Sequence, residues 1–299
     1  MKLVYTDYHE TLNQYLMNIR ETVSVSFEFF PPNKKVWEVN LWNSIDQLKL
    51  FSPKFFSVTC GTSHSEVQMD TYNTVKKVKE YTGIDTVPHL TCANYTLDQL
   101  KYIAKKYWNS GIRSILALRG DVIDSKLQKN KMYAVDLVNL LKSVADFKIF
   151  VAAYPETHPE STHFKNDIKN LKKKMDAGAS CAITQFFFNI NHFLKFRDLC
   201  AKNNIVMDII PGIFPIVNFK QLLKFSSMSN VNIPNWLNYL FDEVKSDFSM
   251  SKIIGASIAM DMVKVLYSEG IRNFHFYTLN RADISCALCH VLGIKSIKV

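Results

Sequence analysis

The sequence predicts an α/β protein of the (β/α)8 TIM-barrel class, with an extra helix before the first strand and extra helices between strands seven and eight. Three observations lead there. Eight short runs rich in β-branched and aromatic residues alternate with longer segments whose apolar residues recur at helical spacing. That pattern implies parallel strands joined by right-handed helical crossovers. Apart from the last, successive runs begin roughly thirty residues apart, the repeat of a barrel of about 250 residues. The chain holds no Gly-x-Gly and no Gly-x-x-x-x-Gly-Lys-[Ser/Thr], so the competing doubly wound fold lacks its dinucleotide and phosphate fingerprints.

The elements follow in order. Residues 6–20 form the extra helix, and 23–30 (VSVSFEFF) the first strand, followed by a helix over 36–51. Strand two is 55–60 (FFSVTC), and strand three, 86–92 (TVPHLTC), feeds a helix over 96–110 stopped by Gly111. Strand four, 114–120 (SILALRG), precedes a helix over 132–145. Strand five, 148–155 (KIFVAAYP), precedes a helix that carries Lys172, Lys173 and Lys174 and stops at Gly178. Strand six is 181–188 (CAITQFFF), with a helix over 189–202, and strand seven is 206–215 (VMDIIPGIFP). A helical excursion over 217–269 closes at Gly270 and leads to strand eight, 273–279 (NFHFYTL), and a last helix over 282–292. Glycine after a periodic stretch is the usual helix stop. No linker, low-complexity tract or composition break divides the chain, so a single domain over 1–299 is expected.

With 47% hydrophobic residues and six cysteines in 299, disorder, collagen and a disulfide-stapled miniprotein are excluded. No apolar run approaches the roughly 18 residues that span a bilayer, and residues 1–21 carry no apolar export signal. A cytoplasmic chain with no membrane partner and with its cysteines as thiols is expected. The net charge is +9, yet only six of the 36 basic residues are arginines, the side chain that forks onto bases and phosphates. The lysines are scattered over helix faces, and glycine is scarce at 9 of 299. Compositional drift explains the charge better than a nucleic-acid partner, so none is expected.

A barrel of this kind carries its active site at the C-terminal ends of the strands. Those ends supply Glu28, Thr59, His89 with Thr91, Arg119-Gly120-Asp121, Tyr154 with Glu156 and His158, Gln185, Gly212, and Tyr277 with Asn280-Arg281. A polar group at nearly every strand end is hard to explain by packing. Glu28 stands between phenylalanines and ahead of two prolines. Desolvation there would raise its pKa and keep it protonated, as a general acid requires. The alternative is a buried glutamate paired with lysine or arginine, and position alone does not choose. Arg119 has the fork for a phosphate or pyrophosphate, Gly120 lets a ligand approach the backbone, and Asp121 can meet a cationic ring. A surface turn with an internal ion pair is the plainer alternative. A lysine among Lys172, Lys173 and Lys174 could reach a phosphate, with Asp167 and Asn170 on the same helix, although a solvated face is the default.

Two patterns are set aside. Cys286-Ala-Leu-Cys289-His290 matches the haem-attachment signature but falls within an expected helix with no export signal. His158 and His163, with Glu156 and Glu160, lack metal-binding helix spacing, and Pro155 and Pro159 break any helix across them, so no metal site is expected.

The strings SFEFFPP (26–32), PHLTC (88–92), ALRGD (117–121), AAYPExHPE (152–160), ITQFFF (183–188), PGI (211–213) and FHFYTLNR (274–281) together closely resemble bacterial methylenetetrahydrofolate reductases. The similarity runs in order through essentially the whole chain. It implies a (β/α)8 flavoprotein carrying FAD without a Rossmann motif. It also implies a ping-pong reaction: NADH reduces the flavin and leaves, then methylenetetrahydrofolate takes its place and becomes methyltetrahydrofolate, supplying methyl groups for methionine synthesis. By resemblance, Glu28 is the general acid and Asp121 the carboxylate beside the flavin. Thr59, Gln185 and Phe225 contact NADH, while Asp121, Gln185, Gln221, Phe225 and Arg281 contact folate. The FAD positions would be Cys60, His89, Arg119, Gly120, Asp121, Ala134, Tyr154, His158, Ser161, Asp167, Asn170, Lys173 and Lys174. A homo-oligomer, a homotetramer by resemblance, is implied too.

There are departures from the family pattern. Cys60 and Cys286 replace common tyrosines, and the loop after Asp121 reads VIDSKLQKNK where relatives are rich in glycine and proline. Two other classes compete: a basic barrel that has lost catalysis and binds nucleic acid, and another flavin barrel of the proline dehydrogenase kind.

Overall fold

The structure, a computed structural model, describes residues 23–60, 64–121, 132–244 and 247–297. The expected helix over 6–20 and the loop after Asp121 lie outside them. The chain alternates strand and helix: β1 (Ser24–Phe29), α1 (Lys35–Leu48) with a 3-10 turn (Lys49–Phe51), β2 (Phe56–Val58), α2 (His64–Thr82) and β3 (Thr86–Thr91). It continues with α3 (Leu97–Asn109), β4 (Ser114–Leu118), α4 (Ala134–Val144), β5 (Lys148–Ala153), α5 (Phe164–Asp176), β6 (Cys181–Thr184) and α6 (Ile190–Lys202). The last part is β7 (Asp208–Ile210), β8 (Gly212–Ile213), α7 (Phe219–Ser229), α8 (Asn235–Asp242), α9 (Phe248–Ser268), β9 (Asn273–Tyr277) and α10 (Asp283–Val291).

Every strand pair is parallel, in the order β7-β6-β5-β4-β3-β2-β1-β9-β8. The expected seventh strand is divided at Pro211, which has no N–H to give a ladder. Its first half, β7, pairs with β6, and its second half, β8, pairs with β9. One interrupted strand therefore bridges the two ends of the sheet into a nearly closed barrel. His275 N donates to Pro211 O at 3.1 Å across the break. The run 181–188 is a strand only as far as Thr184. Beyond it Phe186 and Phe187 turn to pack on Phe214 and Phe193 at ring distances of 5.0 Å.

Alternation along the strands sorts the side chains. Phe27 and Phe29 pack outward with Leu41, Ile45 and Leu48 of α1, each buried phenylalanine contributing on the order of 2–3 kcal/mol. Inside the barrel, Phe55, Val87, Leu116, Phe150, Cys181, Ile183 and Ile210 form an apolar layer. Above it, towards the C-terminal ends, the inward positions turn polar, and this is where the site lies. The excursion between the last two strands is three helices, α7 to α9, with Asn218 and Asp247 capping the first and third through their side chains. No helix among the described residues is long and apolar enough to cross a membrane.

Candidate functional site

The β1–β9 register sets Ser26 beside His275 and Glu28 beside Tyr277, so one inward face carries an acid–base cluster. Glu28 Oε2 lies 3.3 Å from His89 Nε2 of β3 and 3.6 Å from His275 Nε2 of β9. His89 meets the carboxylate without hydrogen-bond geometry, leaving Nε2 buried and unpartnered. Ser26 Oγ donates to Phe274 O at 3.2 Å and lies 2.8 Å from His275 Nδ1. The hydroxyl has one proton for these two acceptors; given to Nδ1, it leaves the proton of the neutral ring on Nε2, facing Glu28. That Nε2 proton lies between the imidazole and the Glu28 carboxyl.

These neighbours overturn the expectation of a Glu28 kept protonated by burial. Burial does push its carboxyl up, but His89 and His275 outweigh it and hold it at about 2. Its partners are histidines, not a lysine or arginine. Burial in turn pulls His275 below the usual imidazole range, against the pull of Glu28.

A second feature opens beside the cluster, between the ends of β4 and β5 and helices α4 and α5. It is a cavity of about 620 Å³, within the range of small-molecule sites. Nine of the sequence-selected residues line it: Arg119, Ala134, Tyr154, His158, Ser161, Asp167, Asn170, Lys173 and Lys174. Arg119 holds Glu160 through both guanidinium nitrogens, Nη2 at 2.5 Å from Oε1, so an internal carboxylate meets the fork expected to take a phosphate. That pairing raises the guanidinium and lowers the Glu160 carboxyl. Lys174 Nζ donates to Ala152 O at 2.5 Å, and burial pulls it down to about 8 although Asp167 draws it upward. His158 N donates to Asp167 Oδ2 at 3.2 Å, fixing the loop that carries Glu160. His163 Nδ1 caps α5 by accepting from Lys165 N.

Cys60, His89, Gly120 and Asp121 stand outside the cavity lining. Gly120 has φ +78°, and a Cβ there would come within 2.7 Å of Thr91 Cβ. The side chain that demands glycine at this turn is thus Thr91 of the neighbouring strand. Asp121 is exposed just past it, its carbonyl accepting from Asn94 Nδ2 at 2.9 Å. Around the barrel mouth, Thr59 N donates to Phe29 O, and Gln185 N to Ala153 O. Phe225 is half-buried edge-on to Phe214 at 5.9 Å, while Gln221 and Arg281 are exposed. The haem-like motif lies in α10, with Cys289 in the core and the His290 ring packed on Phe51. None of the six cysteines, all among the described residues, is in a disulfide.

Two residues of the site escaped sequence reasoning. His275 carried a usable signal, because in NFHFY the apolar alternation puts it on the face shared with Tyr277. Glu160 stood only in the metal pattern set aside above, and nothing local joined it to Arg119, 41 residues away.

Comparison with known proteins adds the following. A family model described as methylenetetrahydrofolate reductase matches residues 12–293. The 5,10-methylenetetrahydrofolate reductase of Buchnera aphidicola subsp. Baizongia pistaciae (strain Bp) is 66% identical, over 99% of this chain and 100% of its own. The protein of that name from Escherichia coli (strain K12) is 51% identical, over 99% of each chain. Among solved structures, an uncharacterized protein from Clostridium thermocellum, described as binding two copies of 5-methyl-5,6,7,8-tetrahydrofolic acid, superposes with a TM-score of 0.61. It covers 95% of this chain and 98% of its own at 18% identity, a likeness of fold.

Proposed function

The chain belongs to the methylenetetrahydrofolate reductase family, and from that membership we propose that it reduces methylenetetrahydrofolate to methyltetrahydrofolate with electrons that NADH delivers through bound FAD, in ping-pong order. The observation that carries this reading is the placement of Glu28 between two histidines, one of which, His89, stands on β3, next to the strand whose end opens into the cation-lined cavity. The residues suit FAD on two counts. His89 Nε2 is buried and makes no hydrogen bond inside the protein, although the Glu28 carboxylate lies 3.3 Å away. The cavity's cations, Arg119, Lys173 and Lys174, suit a pyrophosphate, with Glu160 standing where such an anion would be met. Arg119, Lys173 and Lys174 would then hold the phosphates, with Tyr154, Asp167 and Asn170 along the cavity wall. Bound there, FAD would supply the hydride-transfer chemistry between nicotinamide and folate.

The chain's own residues supply the rest. Opening the folate's five-membered ring to an iminium cation requires a proton on its bridging nitrogen, and Glu28 is the group assigned to give it. A carboxylate ionised at rest must first take up that proton, and His275 shares one with it. Substrate that excludes water from the mouth shifts the balance towards the neutral carboxyl. Asp121 then places a negative charge near the developing cation. Phe225 gives both substrates an aromatic face in turn, and Gln185 an amide. Thr59 lines the nicotinamide side, while Gln221 and Arg281 hold the folate. Within the same reading the chain is one domain over 1–299, a homotetramer in the cytoplasm, and a source of methyl groups for methionine synthesis.

The test is an anaerobic visible spectrum. Flavin bands that bleach with NADH and return with methylenetetrahydrofolate are expected. A protein that cannot be loaded with FAD, or a reduced flavin that proline but not NADH produces, would overturn the reading.

A further inference from the structure

After β9 the backbone turns through two consecutive left-handed residues, Leu279 (φ 51°) and Asn280 (φ 56°). Asparagine visits that region, but leucine rarely does, and such strain persists where surrounding contacts over-determine it. Here they do, because every polar atom of Asn280, itself 3% exposed, is used. Oδ1 accepts from Phe30 N and Nδ2 donates to Phe30 O, both at 3.0 Å. The backbone N donates to Thr278 Oγ1 at 3.1 Å, and the carbonyl accepts from Ser44 Oγ of α1 at 2.9 Å. The Thr278 hydroxyl donates in turn to Glu28 O at 2.6 Å.

The regular β1–β9 pairing ends at Glu28 and Tyr277, and Pro31 and Pro32 beyond Phe30 have no N–H to extend it. The Asn280 amide replaces the missing rung. One hook therefore grips the backbone at the Glu28 carbonyl and again at Phe30, two residues on, and hands the chain directly to Arg281, whose N donates to Thr278 O at 3.0 Å.

We propose that Asn280 is a positioning residue for the folate step, setting the spacing between the Glu28 carboxyl and the Arg281 guanidinium. The inference rests on the reading above, in which those two groups meet the same folate molecule. A misplacement of about 1 Å can cost about a hundredfold in rate, so a rigid spacer between them has a large effect to exert.

The test compares half-reactions. In Asn280→Gly the left-handed turn remains accessible and only the amide is lost. The expected result is a folate KM raised about tenfold with a several-fold lower folate rate, while flavin reduction by NADH stays within twofold. Combined with Arg281→Ala, the two penalties should be less than additive, because both break the same spacing. Ser44→Ala, which loosens Asn280 from α1 but keeps its amide, should move the folate KM in the same direction by about twofold to threefold, and it serves if the glycine variant does not fold. Equal losses in both half-reactions, full additivity with Arg281→Ala, or an unchanged folate KM would each overturn the inference. A wild-type protein that passes no hydride from NADH to methylenetetrahydrofolate would instead overturn the reading on which it rests.

Discussion

Replacing Glu160 by glutamine removes the charge that engages Arg119 while keeping the shape of the side chain. The pair is bidentate, but Glu160 is 59% exposed and the Arg119 side chain 23%. Water and salt screen such a pair to about 0.2–1 kcal/mol. An anionic cofactor that must displace Glu160 from Arg119 forfeits that much, so Glu160→Gln should tighten FAD binding by up to about fivefold. The gain should shrink with added salt, because the Debye length falls from about 10 Å at 0.1 M to about 3 Å at 1 M. Stability of the unloaded protein should move the other way, down by no more than about 1 kcal/mol. The sign with pH follows from the lowered Glu160 carboxyl. The pair's contribution is present above the ordinary carboxylate value and is lost as pH falls through the depressed one. Towards acid, therefore, the wild type should approach the variant. Quenching of flavin fluorescence during titration of the unloaded protein measures all of this, with Arg119→Met as the control that should weaken binding. Weaker binding in Glu160→Gln would make Glu160 a ligand and not a competitor. Equal binding at every salt concentration would mean that the anion does not use Arg119 at all.

The remaining predictions concern chemistry and packing. Glu28→Gln should leave flavin reduction by NADH nearly intact and almost abolish folate reduction; survival of both half-reactions removes Glu28 as the acid. In the unliganded wild type the Glu28 carboxyl, held at about 2, should still show a carboxylate carbon-13 signal at about pH 4, and a protonated signal there refutes the histidine pairing. Asp121→Asn should slow folate reduction more than flavin reduction, since only the folate step develops a cation beside it; equal effects would sink that role. At Gly212 a Cβ would lie 2.3 Å from Thr184 O and 2.6 Å from the Tyr277 ring. Gly212→Ala should therefore destabilise by about 1–3 kcal/mol, read from the urea midpoint, and an unchanged midpoint would mean that the barrel seam yields freely.

Much of the architecture was legible because parallel strands buried on both faces read as apolar runs, and all eight expected runs hold strand. The break in the seventh was not legible. Pro211 announces a missing donor, but which neighbour takes each half depends on how the sheet closes. Glu28 was likewise visible from its phenylalanine and proline surroundings, as were Arg119, Tyr154 and His158 of the cavity lining from strand ends and Asp167, Asn170, Lys173 and Lys174 from one helix.

Its charge state was not visible. Local surroundings favour a neutral carboxyl, and the opposite outcome comes from His89 and His275 on other strands. Ser26 and His275, which orient the second imidazole, are 249 residues apart in the chain. The residue types and their periodicity were determined by the sequence alone, because side-chain direction along a strand is a local property of the backbone. The electrostatics were decided only by the tertiary structure, because a charge answers to whatever lies within a few ångströms, and barrel closure alone brings the first and last strands that close.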